Sequence, residues 1–543
     1  MSDALDIAAR TVAWPVAAGI LANALDELFM DVSYFARRFQ MRQRRAIQQE
    51  ELDAAPRRRV AIMVPAWHEA AVIAPMLEHN LKTLDYFPRS FDVFCGTYPN
   101  DPLTQQQVDQ VARRHPNVHK VVVQHDGPTC KADCLNAVYR AIGEEEEKHQ
   151  RPYEIVLIHD AEDVIHPLSL KVYSLLIPAY DFVQTPVFSA PLRLRDWVAG
   201  TYIDEFAEHH LKDMRVREEM GGLLPAAGVG CAFSRSALSE QAALQRGDLF
   251  PADSLTEDYE IGLQLRLAHK KAHFACLTVA RTRLRQGRFG RPRMVVEEEY
   301  IATRELFPNR FRASVRQRSR WITGITLQSW EKLGWKGSGS VLYSLWRDRK
   351  TLLTNLLLLL AYTLFIYMGG RAVAAWLTGS AWGFHDVVRP HSALWWLMLI
   401  NTGFLLWRAV MKMHFVGRLY GPWQALAAVP RLVVGNIVSL AATAKAVTGW
   451  IRHIATGQPL RWLKTAHALP AAAAAAGHRR LGEVLMARGA LDARELQSAL
   501  SQQTQTGERL GEILLRKRVV SASALAEALN ALLGEAPRTG VAA

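Results

Sequence analysis

Carboxylates cluster in two apolar neighbourhoods of this 543-residue chain. HDAEDVIHP (159–167) carries Asp160, Glu162 and Asp163 directly after an apolar run, and LTEDYE (255–260) carries Glu257, Asp258 and Glu260. Alternating acids at a strand end place hard oxygen donors on one small site, which suits Mg²⁺ or Mn²⁺ holding a diphosphate; a solvated acidic turn has the same spacing. The second cluster is either the acidic first turn of a helix or an acid–base centre. Cations and an aromatic complete the set. CKADCLNAV (130–138) supplies Lys131, suited to a phosphate, and Asn136. RQRSRW (316–321) supplies Gln317, Arg320 and Trp321, where arginine can bind diphosphate and tryptophan can stack on a sugar ring.

The elements that must position these residues alternate. RVAIMVPAW (59–67), FDVFCG (91–96), HKVVVQ (119–124) and EIVLIHDAE (154–162) read as buried strands, and 70–84, 104–115 and 131–149 have helical spacing. That is βαβ repetition, an α/β fold around a mostly parallel sheet. Ligands in such sheets bind beyond the carboxyl ends of the strands. The rule selects Trp67, His68 and Glu69 after the first strand, Asn100 and Asp101 after the second, and the acids at 160–163 after the fourth. In AAGVGCAFSR (226–235) the glycines either admit a sugar to the backbone or bend a strand. Cys95, Cys130, Cys134, Cys231 and Cys276 show no C-x-x-C pairing, which points to reduced thiols. Cys130 and Cys134 lack a second ligand pair for a metal site.

Half the residues are hydrophobic, yet the net charge is +13. The stretch 351–370 is charge-free over a membrane-spanning length, and 392–407 is apolar with tryptophans near both ends, so the two read as a spanning hairpin. The stretch 11–25 is a shorter candidate that runs into Asp26 and Glu27. Arginines follow it at 37–45 and 57–59, and Arg347, Arg349 and Lys350 precede the hairpin. The positive-inside rule therefore puts the intervening region in the cytoplasm. Because the arginines gather at membrane boundaries, the charge does not indicate DNA or RNA. The stretch 419–450, interrupted by Arg431 and Lys445, reads as an interfacial or re-entrant helix. The expected divisions are 1–36 (N-terminal span), 37–345 (cytosolic domain), 346–412 (hairpin), 413–455 (interfacial), 456–477 (alanine-rich linker) and 478–535 (a helical tail).

T-E-D about sixty residues before Q-x-x-R-W, both ahead of a spanning hairpin, resembles the processive family-two glycosyltransferases of the cellulose-synthase and hyaluronan-synthase type. The resemblance covers roughly 60–345 and the hairpin. It implies a GT-A-type sheet with helices on both faces and a nucleotide-sugar site of Glu69, Asp101, Lys131, Asp160, Gln317, Arg320 and Trp321. It further implies a metal held by Asp160 with Glu162 or Asp163, and Asp258 as general base with Glu257 beside it in the acceptor site. YPNDP matches the family's early Asp loosely at Asp101, and D-A-E-D departs from the family's D-x-D. The basic run 281–293 is either a gating loop, a lipid-facing patch or a solvated face.

In the tail, Arg480-Leu481-Gly482 recurs 29 residues on as Arg509-Leu510-Gly511. The repeat resembles the MshEN domain, several members of which bind cyclic di-GMP. By that resemblance the ligand contacts are Arg480, Leu481, Gly482, Leu485, Leu500, Gln503, Arg509, Leu510, Gly511 and Leu514. Arg518 stands for a family glycine and Leu532 for a family glutamine. A cytosolic ligand requires an even number of spans between catalytic domain and tail. The whole order also resembles the bacteriophage adsorption protein B family of bacterial inner-membrane proteins. The resemblances imply a nucleotide-sugar donor, probed first as UDP-sugar, a growing glycan acceptor, Mg²⁺ or Mn²⁺, and cyclic di-GMP as allosteric ligand. A homodimer or an outer-membrane export partner would complete an export route. Competing readings are transfer of one sugar to a lipid carrier and a catalytically silent secretion scaffold.

Overall fold

The computed structural model describes residues 2–43, 47–245, 247–286, 292–458, 460, 481–487, 489–506 and 508–534. Apolar, β-branched runs become the strands β1 (Val60–Pro65), β2 (Phe91–Thr97), β3 (Val118–Val122), β4 (Ile155–Ile158) and β5 (Phe182–Gln184). β6 (Val187–Ser189) lies outside the main sheet, whereas β7 (Cys231–Ser234) and β8 (Ala272–Phe274) complete it in the order β3-β2-β1-β4-β7-β5-β8. Pairing is parallel except for β7, which runs against both β4 and β5. Ala61, Met63, Val156 and Ile158 pack into one core, and Val60, Ile62, Ile155 and Leu157 into another. A sheet buried on both faces needs such continuous apolar strands rather than alternating ones. The helix α1 (Ser2–Gln43) precedes the sheet, and α2 (Ile73–Thr83), α3 (Pro102–Ala112) and α4 (Lys131–His149) confirm the βαβ reading of the first half.

Two ribbons flank the sheet. β9 (Thr278–Gln286) pairs antiparallel with β10 (Pro292–Tyr300), and β11 (Thr303–Glu305) pairs parallel with β6. The basic run 281–293 thus forms a hairpin whose tip, 287–291, lies outside the described residues.

Around this domain stand α5 (Trp197–Glu208), α6 (Glu257–Leu267), α7 (Phe311–Trp321), α8 (Gly339–Arg349), α9 (Thr351–Thr378), α10 (Ala393–Tyr420) and α11 (Pro422–Thr456). Four helical spans are long and apolar enough to cross a membrane: Ala4–Arg37, Gly339–Thr378, Ala393–Tyr420 and Pro422–Thr456. The first is far longer than the apolar stretch 11–25 suggests. Asp26 and Glu27 do not end it, because both are ion-paired with Arg347 and Lys350 at 2.5–3.1 Å. Nearby, Lys212 pairs with Asp31 (2.6 Å) and Glu208 (2.7 Å), and Lys412 with Glu208 (2.7 Å). Charges that would be costly in lipid therefore meet counterions where the apolar helices and the sheet domain join.

The last of the four spans includes the segment read from sequence as interfacial. Its first half is turned into the catalytic domain, with Gln424, Ala425, Ala428 and Arg431 buried. Farther on, Thr443 accepts a 2.8 Å hydrogen bond from Asn355, one turn into α9.

The tail forms α12 (Leu481–Ala487), α13 (Ala493–Thr506), α14 (Leu510–Arg516) and α15 (Ala522–Gly534) around its own core. Leu485 and Ala499 of one copy pack with Ile513, Leu514 and Ala528 of the other.

Candidate active site

Lys131 opens α4 with Cys130 as its N-cap, and Asp160 lies two residues past β4. Lys131 Nζ stands 2.5 Å from Asp160 Oδ1 and donates to the Gly228 carbonyl at 3.4 Å. Burial opposes the lysine charge, but Asp160, Glu257 and Asp258 outweigh it and hold the ammonium above its ordinary value. Asn136 has a different task. Its amide donates to the Phe250 carbonyl and accepts from Leu249 and Phe250, fixing the segment that leads into α6.

Glu257 and Asp258 form the first turn of α6. Burial, then the Asp258 charge, lifts the Glu257 carboxyl to about 7 against the opposing pull of Lys131. Burial also raises Asp258, opposed by Lys131, a hydrogen bond from Tyr259 N–H and Arg320. Gly228 sits at φ +76°, and a Cβ there would collide with Asp258 Oδ2. At Gly230, φ +59°, a Cβ would meet the hydroxyls of Thr303 and Thr185. These glycines make room for the protein's own side chains.

Of the acids after β4, Asp160 and Glu162 line the cavity. Asp163 is a correction: it is fully buried, and its Oδ2 accepts from His159 Nδ1 (2.8 Å) and the Asp160 N–H (3.0 Å). It shapes the turn that presents Asp160 and does not face the cavity. Among the described residues no three His, Cys, Asp or Glu side chains gather as a self-sufficient metal site. Asp160 nevertheless already holds a cation, the Lys131 ammonium, and with Glu162 it offers two hard oxygen donors to the same space. That donor set fits a hard divalent ion completed by diphosphate oxygens.

Asp101 is a second correction. It is 2% exposed, caps α3 through Thr104 N–H (3.3 Å) and accepts from His68 N–H (2.6 Å). It thereby holds His68 at φ +54° and sets the loop from which Trp67 and Glu69 enter the cavity. Tyr98, just past β2, takes the place in the wall expected of Asp101.

Gln317, Arg320 and Trp321 on α7 all line the cavity. A π-helical turn, Ile322–Gln328, continues α7, and Thr256 fills the space a Cβ on Gly324 would need. The helix bearing Trp321 is thus packed on the residue preceding Glu257. Arg318, unremarked in the sequence, also reaches the cavity wall but is tied to α5: it bonds Glu205 and lies 4.4 Å over the Tyr202 ring. Its spacing, three residues before Trp321, is the signal that it shares that residue's side of the helix.

The cavity encloses about 620 Å³. Its lining brings together Trp67, Tyr98 and Thr129, the group Asp160, Glu257, Asp258 and Trp321, and Asn23, Thr354, Asn355 and Ser439 of the apolar helices.

In the tail, Arg480 lies outside the described residues. Leu485 and Leu514, expected against a ligand, are fully buried in the core; Leu481, Leu510, Gly482 and Gly511 also pack inward. Leu500 and Arg509 are exposed, and Gln503 donates to the Glu508 carbonyl at 3.3 Å.

A family model described as "Glycosyltransferase like family 2" matches residues 56–324. The chain belongs to the family-2 glycosyltransferases. It is 37% identical over 507 residues to bacteriophage adsorption protein B of Escherichia coli (strain K12), covering 91% of this chain and 67% of that protein. The same figures hold for bacteriophage N4 adsorption protein B of Escherichia coli O157:H7. A solved structure of a Pyrobaculum calidifontis mannosyltransferase, in complex with GDP-Man and Mn²⁺, is similar at a TM-score of 0.48 and 17% identity, covering 81% of this chain and 99% of that one.

Proposed function

We propose that this glycosyltransferase polymerises a sugar from a nucleotide sugar, UDP-linked, into an envelope polysaccharide, inverting the anomeric carbon at each transfer. The observation that carries the reading is that one cavity is lined by Trp67 and Tyr98, by Asp160 and Asp258, and by Asn23, Thr354 and Ser439 of the apolar helices. Donor, acceptor and leaving product can occupy one space, and the polar residues of the apolar helices offer a glycan hydrogen bonds as it departs.

A bound Mg²⁺ or Mn²⁺, held by Asp160 and Glu162, would neutralise the diphosphate leaving group. Lys131 adds a fixed positive charge beside it, and Arg320 lies within electrostatic reach of Asp258. Asp258 takes the proton from the acceptor hydroxyl as that oxygen bonds to the anomeric carbon. The bond from that carbon to the diphosphate breaks in the same displacement, and the electron pair leaves with the nucleotide diphosphate. Burial strengthens Asp258 as a base, because its raised affinity for a proton is what abstraction requires. Trp321 offers a ring on which the acceptor sugar can stack.

The tail is assigned cyclic di-GMP and a role in activation, on its paired R-L-G repeats. The start of α11 being tied to the catalytic side, where Gln424 donates to the Leu192 carbonyl and Arg431 pairs with Asp204, supports its first half lying at the cytosolic surface of the bacterial inner membrane, and the tail is assigned to the cytoplasm. Membranes bearing the protein, given a panel of radiolabelled nucleotide sugars with and without cyclic di-GMP, test the proposal. A lengthening product stimulated by the dinucleotide supports it; a single added residue rules out polymerisation, and no transfer from any sugar rules out the assignment.

A further inference from the structure

The guanidinium of Arg431 is 1% exposed in a helix whose composition is otherwise apolar. Its bonds are numerous and specific. Nε and Nη2 make a two-pronged pair with the Asp204 carboxylate (2.9 and 2.6 Å), Nη1 donates to Gln424 Oε1 (2.6 Å) and Nη2 to the Gln424 carbonyl (3.0 Å). Asp204 lies on α5, one turn after Gly200, where a Cβ would strike the Arg431 side chain. Gly435, one turn after Arg431, faces Thr201 at 3.7 Å. Small residues on both helices bring α5 and α11 close, and the arginine fork fixes their register.

An adjoining side of α5, sharing Thr201 with the α11 contact, grips α7. Thr201 accepts from Arg318 Nη2 (3.2 Å), Glu205 pairs with Arg318, and Tyr202 shares a 2.9 Å hydrogen bond with Ser314. Tyr202 and Phe206 also pack against Trp321 with ring centroids 6.0 and 6.2 Å away. α5 and α7 both pack against α11, so α11 braces the helix that carries Gln317, Arg320 and Trp321 directly as well as through α5.

We infer that Arg431 and Asp204 are positioning residues for the transfer step: by locking α11 to α5 they fix the joint surface on which α7 holds its arginine and tryptophan over the cavity. The inference rests on the proposed role of α7 in the reaction. Lys131 and Asp160 stand on sheet-side elements that this contact does not reach, so donor binding and transfer separate.

The test uses the full-length protein in membranes, with the donor found by the nucleotide-sugar panel. Arg431→Gln is expected to lower kcat by roughly 10- to 100-fold, the cost of a misplacement of about an ångström. The donor KM should stay within about twofold, as loss of a transition-state contact demands. Hydrogen exchange in peptide 311–321 should quicken while exchange in β1 and β2 is unchanged. Arg431→Lys keeps the charge but loses the fork and should recover part of the rate. Asp204→Asn combined with Arg431→Gln should be no slower than the slower single variant, because both break one link. Should Arg431→Gln fail to insert, Asp204→Asn, which keeps the side-chain shape, carries the same comparison. Unchanged exchange in 311–321, a donor KM that rises as kcat falls, or single losses that multiply in the double variant overturns the inference. If wild-type membranes transfer no sugar, the catalytic reading has failed, and the exchange measurement alone decides whether the link exists.

Discussion

Lys131 Nζ and Asp160 Oδ1 stand 2.5 Å apart, so without substrate the cavity's cation and its leading carboxylate satisfy each other. A donor entering with its metal must part them and give each a new partner. Removing the cation leaves Asp160, Glu257 and Asp258 facing one another.

Lys131→Met should therefore do two things. The donor KM should rise at least about tenfold, since a charge-assisted phosphate contact contributes roughly 1.5–3 kcal/mol. The pH–rate profile should also move to higher pH, because Lys131 holds down the proton affinity of both Glu257 and Asp258. Initial rates across pH with varied donor read both effects.

Activity and stability should respond to pH in opposite directions. Glu257 has an ordinary value of 4.5 and a folded value of about 7. The folded state therefore binds more protons between those values, and its stability falls as pH rises through that window. Transfer requires a deprotonated Asp258, whose proton affinity burial also raises, and should therefore rise with pH. Glu257→Gln should flatten the stability change. Thermal unfolding beside rate measurements from pH 5 to 8 decides this.

The two acids that sequence alone cannot rank as metal ligands should separate cleanly. Glu162→Gln should raise the Mn²⁺ concentration needed for half-maximal activity at least about tenfold, in the range seen when metal-site groups are altered. Asp163→Ala strips acceptors from His159 and the Asp160 N–H, and should destabilise the domain by about 1–3 kcal/mol per bond left unmet. Metal titration and denaturant unfolding distinguish the two. Chelation should abolish wild-type transfer, with Mg²⁺ or Mn²⁺ restoring it.

Gly228→Ala should abolish transfer without altering any charged group. The left-handed backbone there costs a side chain about 1–2 kcal/mol, and the added methyl displaces Asp258. Wild-type levels of inserted protein with transfer reduced as far as in Asp258→Asn would agree; activity near wild type would not.

The first four strands were legible because each is a run of apolar residues buried on both faces. β5 and β8 span only three residues each, too short for a pattern to emerge, and the reversal at β7 depends on long-range pairing. Order along the chain brought Lys131, Asp160, Asp258 and Trp321 to one cavity. It could not separate Glu162 from Asp163, since the choice is made by His159 folding back on Asp163. Asp101 looked like a ligand because carboxylates at strand ends often are, yet capping α3 uses the same chemistry. Asp26 and Glu27 read as the end of a span only while Arg347 and Lys350, more than three hundred residues away, were out of view. In the tail, the conspicuous leucines proved to be the core that joins the two copies.

The thiols carry a practical consequence. Cys95, Cys134, Cys231 and Cys276 are buried, whereas Cys130 is half-buried on the cavity wall beside Lys131. A maleimide dye added to native membranes has one favoured attachment point, reacting slowly because burial raises that thiol. The unmodified sequence thus comes with a built-in optical probe of its donor pocket, and protection from labelling would report occupancy without any engineered cysteine.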